Sequence, residues 1–303
     1  MDMFLGRIRR TPAGPVELVA LRAAGELVSL AGLGSALGPG RGSNSGSNPG
    51  SDPGSDPVAA LDSYGLDRLT ELVAGLDGPT LDENAVIFEP PVATCTKICC
   101  LALNYQEHAD ESGLEVPPEP VLFFKPPSAL VGHNQPVVAP TRTRHLEHEV
   151  ELAVVIGKVT RDLPEERWRE AVAGYTVIND MTARDLQLAN ISRNVPWDQS
   201  KGFDTFAPTG PYLATVDEVP DPQELELTLE VDGEIRQRAN TKQMVFGLPR
   251  LIADLSDGMT LMPGDLIATG TIAGIAPLKD GDTMRATVAG IGTLVNTVKF
   301  RSA

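Results

Sequence analysis

Two glutamates set two residues apart open the most apolar run of the chain, His148-Glu149-Val150-Glu151-Leu152-Ala153-Val154-Val155-Ile156. In a β-strand alternate side chains share a face, so Glu149 and Glu151 project together while Val150, Leu152, Val154 and Ile156 project oppositely. Past the glutamates their own face continues as Ala153 and Val155, so the strand runs into a core. Two like charges at the mouth of a core need a counter-charge, because neither desolvation nor mutual repulsion is cheap. A hard divalent cation such as Mg²⁺ supplies one and takes oxygen ligands from a few carboxylates. Asp180 is the candidate third ligand, since it ends a second apolar run, Tyr175-Thr176-Val177-Ile178-Asn179-Asp180, ahead of a helix-forming stretch. The alternative leaves Glu149 and Glu151 as solvated residues at a strand end and Asp180 as the N-cap of that helix.

The elements that must hold these residues follow from periodicity. From residue 86 onward short apolar runs alternate with turn residues, and strands are expected at 98–103, 121–124, 150–156, 175–178, 225–231, 266–268 and 287–288. Helical spacing is expected at 165–173, 180–189 and 244–255. Before residue 86 lie two strand-like runs, 16–21 and 26–30, and a helical pattern over 61–76. Residues 38–57 are a run of Gly, Ser, Asn, Asp and Pro, expected to be a disordered loop. With 29 Gly and 25 Pro in 303 residues, turns are many and long helices few. The expected fold class is therefore β-rich α+β, with a small N-terminal α+β module over 1–94 and a main catalytic domain over 95–303.

Composition excludes several function classes. Against 25 basic residues stand 41 acidic ones, a net charge of −16, which repels a phosphate backbone and makes nucleic acid an unexpected partner. No run reaches the roughly 20 apolar residues of a membrane helix, and the start lacks the build of a signal peptide. A cytoplasmic location is expected, with no membrane partner. Cys95, Cys99 and Cys100 cluster on a predicted strand without a second Cys or His pair, and are read as reduced core thiols rather than a zinc or redox site.

Six motifs in order make the chain resemble the fumarylacetoacetate hydrolase family. They are Asn104-Tyr105-Gln106-Glu107-His108, Phe124-Lys125-Pro126, His148-Glu149-Val150-Glu151-Leu152, Asn179-Asp180-Met181-Thr182-Ala183-Arg184-Asp185, Ser200-Lys201-Gly202-Phe203 and Ala268-Thr269-Gly270-Thr271. The resemblance spans about residues 95–298 and implies a mixed β-roll of that family's type, a homodimer, and Mg²⁺ or Mn²⁺ held by Glu149, Glu151 and Asp180. It further implies that His108 and Glu111, three apart on a lid over 106–120, form a water-activating dyad. Lys201, Gln187 and Thr271 match positions near substrate, and Arg184 is a further carboxylate contact. Taken without the family, these are a solvent-exposed His108, a surface acid, ion-paired Lys201 and Arg184, a solvated Gln187 and a turn threonine. His133, His145 and His148 are read as surface residues, with His148 adjoining a ligand.

The sequence departs from the family pattern at Ala102-Leu103, where members carry Gly and in some cases Arg, and at Ile272-Ala273-Gly274-Ile275-Ala276 after Thr271. The first departure removes one carboxylate-binding Arg. The expected activity is hydrolysis of a carbon–carbon bond in an acylpyruvate-type 2-oxo acid through a metal-bound enolate. The alternative is decarboxylation or isomerisation of oxaloacetate or a hydroxymuconate-type compound in aromatic catabolism. A third reading keeps the fold as a non-catalytic metabolite-binding protein.

Overall fold

The computed structural model describes residues 3–22, 26–30, 52–76 and 80–302. The N-terminal part forms β1 (Phe4–Arg9), β2 (Glu17–Arg22), β3 (Glu26–Ser29), β4 (Thr80–Leu81) and β5 (Ile87–Glu89). Helical spacing over 61–76 resolves into two helices, α1 (Pro57–Tyr64) and α2 (Leu66–Gly75), which bury Ala60, Leu69 and Val73 against Leu5 and Leu18. The Asp56 side chain accepts the Val58 N–H, and Pro57, which has no N–H to lose, starts the helix. The run expected as a disordered loop over 38–57 thus ends in a turn and a helix cap; its residues 38–51 lie outside the described residues.

The rest of the chain forms β6 (Ile98–Ala102), α3 (Gln106–Glu111), β7 (Val121–Lys125), β8 (Leu130–Val131), β9 (Val137–Ala139), β10 (Leu146–Glu147), β11 (Val150–Ile156), β12 (Val172–Asn179) and β13 (Thr182–Ala183). It continues through α4 (Arg184–Ser192), β14 (Ala207–Thr215), β15 (Glu226–Val231), β16 (Glu234–Asn240), α5 (Leu248–Ser256), β17 (Leu266–Ala268), β18 (Thr283–Val288) and β19 (Gly292–Phe300). One sheet runs β4-β3-β2-β1-β14-β12-β11-β17-β6-β7, with β5 added on β1 and β8 on β14. A second runs β16-β15-β18-β19-β9, and β10 pairs with β13. Pairing is mostly antiparallel, but β17–β6, β14–β8 and β19–β9 are parallel. The architecture is a β-rich α+β roll of mixed sheets. The N-terminal strands extend the large sheet through the β1–β14 pairing.

At the centre β11 lies between β12 and β17, and all seven of its residues are buried. Val150, Leu152, Val154 and Ile156 pack with Leu229, Val288 and Leu294 of the second sheet and with Leu251 and Ile252 of α5. Ala153 and Val155, on the opposite face, pack with Ile98, Cys100, Ile178 and Leu266. Burying each such Val, Leu or Ile side chain contributes about 1.5–3 kcal/mol. The strand is apolar on both faces because layers cover it on both sides.

Several elements differ from expectation. The helical spacing at 165–173 becomes a 3₁₀ segment, Glu165–Ala171, that gives way to β12 at Val172. The helix expected at 180–189 starts only at Arg184, after the two-residue β13. α5 begins at Leu248, with Pro249 in its first turn, not at 244. All three cysteines are free, and burial pushes the thiols of Cys95 and Cys99 up to about 12. Among the described residues no helix is long and apolar enough to cross a membrane.

Candidate metal centre

The β11–β12 register, with Val150 opposite Asn179 and Glu151 opposite Ile178, carries Glu149 to the side of Asp180. Two hydrogen bonds fix the junction: the Asp180 N–H donates to the Glu149 carbonyl at 2.8 Å, and the Glu149 N–H to Asn179 Oδ1 at 2.8 Å. One carboxylate oxygen from each of Glu149, Glu151 and Asp180 lies within 4.8 Å of the others. The three residues are 4%, 1% and 1% exposed, so they are not solvated strand-end acids. Nor is Asp180 a helix cap, because that position falls to Ala183.

The loop after β17 returns across the same strand. Thr269 and Thr271 hydroxyls donate to the Leu152 and Val150 carbonyls, each at 3.0 Å, and the Gly270 N–H donates to Glu151 Oε2 at 2.7 Å. Gly270 has φ 95°, and a Cβ there would stand 2.8 Å from Asn104 Cβ, so only glycine brings its N–H to the carboxylate without strain. Asn104 in turn donates to the Thr269 and Phe246 carbonyls and accepts the Phe246 N–H, pinning the chain just before α3.

Positive charge is distributed unevenly over the three carboxylates. Lys201 Nζ donates to Glu149 Oε2 at 2.7 Å and to Asp180 Oδ2 at 2.6 Å. Lys125 Nζ, also buried, donates to the other Asp180 oxygen and to the Met181 carbonyl. Arg184 spans Glu149 and Glu147. Glu151 has the Gly270 N–H and, among the described residues, no cation of its own. Burial pushes the Glu149 carboxyl up, but Lys201, Arg184 and His108 outweigh it and hold it well below the usual range. Burial, Asp180 and Glu149 together push Glu151 well above that range. Burial lowers Lys201, and Asp180 and Glu149 overturn that to raise it. A set of fixed, buried oxygen donors with one carboxylate uncompensated suits a hard divalent cation.

Above the triad opens a cavity of about 540 Å³. Glu149, Arg184, Gln187, Lys201, Thr271, His108 and Glu111 all line it, while Glu151 and Asp180 lie outside its lining. His108 Nδ1 stands 3.5 Å from Glu111 Oε2 and makes no hydrogen bond. Glu111 accepts the Gly274 N–H at 3.0 Å. Gly274 has φ 100°, and a Cβ there would meet the Arg236 carbonyl at 2.0 Å, so the backbone that presents this N–H requires glycine. Gln187 is bonded to Arg184 and is not solvated. Thr271 Oγ1 also accepts from Gln237 Nε2 at 3.1 Å, a buried link rather than a free turn hydroxyl.

Of the three histidines read as surface residues, His148 departs most from that reading, while the His145 side chain is 38% exposed. His148 is fully buried with Nδ1 2.9 Å from Gln237 Oε1. His145 lines the cavity, its Nε2 2.7 Å from Glu147 Oε1. His133 is half-buried and accepts the Val295 N–H at 3.1 Å. Sequence reasoning also missed Glu147 and Lys125 as members of the site. A lysine ending the apolar run of β7, inside a quoted motif, was the available signal for Lys125.

Residues 97–299 match the family described as fumarylacetoacetate (FAA) hydrolase C-terminal. An uncharacterized protein of Pyrococcus abyssi is 51% identical over 203 residues, 67% of this chain and 90% of that one. The structure of maleylpyruvate hydrolase from Sphingobium sp. SYK-6, in complex with manganese(II) and pyruvate, is similar with TM-score 0.78 at 32% identity, covering 99% of this chain and 100% of that one. The 5-carboxymethyl-2-hydroxymuconate delta-isomerase of Mycobacterium smegmatis gives TM-score 0.74 at 33% identity, covering 99% and 100%. Match, fold and buried carboxylate triad agree, and the chain belongs to the fumarylacetoacetate hydrolase family.

Proposed function

We propose that this protein is a metal-dependent hydrolase that cleaves a carbon–carbon bond of an acylpyruvate-type 2-oxo acid, with Mg²⁺ or Mn²⁺ held by Glu149, Glu151 and Asp180. The observation that carries this reading is a single cavity lined by Glu149 of the triad and by the His108–Glu111 pair. The similarity to a hydrolase whose structure holds manganese and pyruvate supports it. A bound cation would supply Lewis-acid charge to the oxygens of the 2-oxo acid.

The chain's own groups do the rest. Arg184, with Gln187 beside it, faces the substrate carboxylate, and the Lys201 ammonium stabilises negative charge as it develops. His108 takes a proton from water, and Glu111 orients the imidazole and offsets its charge. The water oxygen bonds to the distal carbonyl carbon and the bond from that carbon to the methylene breaks. Its electron pair leaves on the three-carbon fragment as an enolate, which takes up one proton at carbon. The products are a carboxylic acid and pyruvate. Water access depends on α3, whose polar flank over 106–120 acts as the lid.

A second reading, isomerisation or decarboxylation, draws on the likeness to the M. smegmatis isomerase. In it no water attacks. The test is turnover of acylpyruvates, oxaloacetate and hydroxymuconate-type acids with and without Mg²⁺ or Mn²⁺. His108→Ala is expected to lower acylpyruvate cleavage by about 10²–10⁴-fold with metal affinity retained by calorimetry. Unchanged cleavage in that variant removes the dyad, and turnover confined to the other substrates replaces the hydrolase reading.

A further inference from the structure

We infer that the substrate's distal group is apolar, an aliphatic or aromatic acyl chain rather than a second carboxylate. This rests on the proposed function, because it names what the far end of the same cavity takes.

The cavity is graded along its length. Its buried end holds Glu149, Lys201, Thr271 and His108. Its exposed rim carries Leu114, Val121, Leu188 and Ile191. All four are large apolar side chains left unusually open, Leu114 at 51%, Val121 at 39%, Leu188 at 57% and Ile191 at 46% exposed. An exposed aliphatic cluster at the rim of a polar site is the usual mark of a binding groove rather than of a solvated surface.

Helix α4 sets the grading. Residues three and four apart share a helix face, and Arg184, Gln187, Leu188 and Ile191 all line the cavity from that one face. The charged end of the stripe reaches Glu149 through Arg184, and the apolar end opens at the mouth. At 1.5 Å per residue the stripe is about 10 Å long. A one- or two-carbon acyl group stops short of its apolar end; a longer chain lies along it.

The cations argue the same way. Among the described residues the only lysine and arginine lining the cavity are Lys201 and Arg184, both already bonded to carboxylates. Leu103 lines the wall as an apolar side chain. A second carboxylate at that rim would therefore lie among aliphatic side chains, with Lys201 and Arg184 already bonded to carboxylates and His145 to Glu147.

The experiment is calorimetric binding of simple 2-oxo acids to the Mn²⁺-loaded protein: pyruvate, 2-oxohexanoate, 2-oxooctanoate and 2-oxoadipate. Affinity is expected to rise about threefold per added methylene, and 2-oxoadipate is expected to bind at least about tenfold more weakly than 2-oxohexanoate. Ile191→Arg, at an exposed position that leaves the core untouched, should reverse that last preference. Affinity flat with length, or 2-oxoadipate bound as tightly as 2-oxohexanoate by the unaltered protein, overturns the apolar assignment and leaves the hydrolase reading standing. Failure of every 2-oxo acid to bind in a metal-dependent way overturns the proposed function, and this inference with it.

Discussion

The carboxylate triad and the His108–Glu111 pair lie on one cavity but are held by different means. Glu149, Glu151 and Asp180 sit on or next to two central paired strands, and Lys125, Lys201, Arg184 and the Gly270 N–H contact their carboxylate oxygens. His108 and Glu111 ride on a helix of six residues, too short to be stable alone. Their partner across the cavity is one backbone N–H, that of Gly274. On the proposed reading, charge that must be ready before substrate arrives is built on the sheet, and the group that would meet a water is built on a short helix able to adjust. The 3.5 Å between His108 Nδ1 and Glu111 Oε2 is too long for a hydrogen bond, unlike the contacts of the triad.

Variants can break or sharpen that contrast. The largest effect is expected from Glu151→Gln, the carboxylate without its own cation. Divalent-metal affinity should fall at least about 100-fold by calorimetry, while the chelated protein keeps its thermal stability, because glutamine still accepts the Gly270 N–H and burial, Asp180 and Glu149 already disfavour the ionised carboxyl there. A marked drop in the Tm of the chelated protein would show that Glu151 is tied into the scaffold in some other way. Glu111→Gln should act more mildly and only on the chemistry: kcat lower by about 10-fold with metal affinity unchanged. Loss of metal in that variant would erase the distinction between the two halves of the site.

The smallest effect lies away from both. Burial, then Arg285, push His133 down to about 4 from 6.5. An unfolded chain protonates this imidazole below pH 6.5 and the folded one resists, so its contribution is fully present above pH 6.5 and is lost as the pH falls toward 4. His133→Gln should flatten the stability–pH curve in that window by about 1–2 kcal/mol, after allowance for its partial exposure. If the acid loss of stability is unchanged, it originates in the carboxylates of the centre instead.

What could be read from the chain tracks how local its cause is. The Glu149–Glu151 pair was visible because period-two spacing is a property of one strand, and the burial of both faces of β11 followed from Ala153 and Val155. A lysine closing the apolar run of β7 was the one signal for Lys125, and Glu147 had none, since nothing near them in sequence reveals that β7 ends at Asp180 and β10 at Arg184. His148 is buried because Gln237, 89 residues away on a strand of mostly polar residues, bonds to it. β14 escaped the pattern because Pro208, Gly210 and Pro211 interrupt it, yet all nine of its residues are buried between β1 and β12. Helix starts erred where short strands or prolines take the first turn, as at β13 and at Pro249.

The two-faced burial of β11 has a consequence for how this protein tolerates change. A slip of one residue in its pairing would turn both glutamates toward the apolar layer under α5 and bring Val150 and Leu152 to the place of the ligands. The register that satisfies the core is the register that assembles the centre, so natural variation at Leu152 or Val154 is filtered for both at once. Drift in this strand is confined to substitutions that keep its alternation, while the mouth of the cavity, which carries no such double duty, is where descendants of this chain are free to diverge.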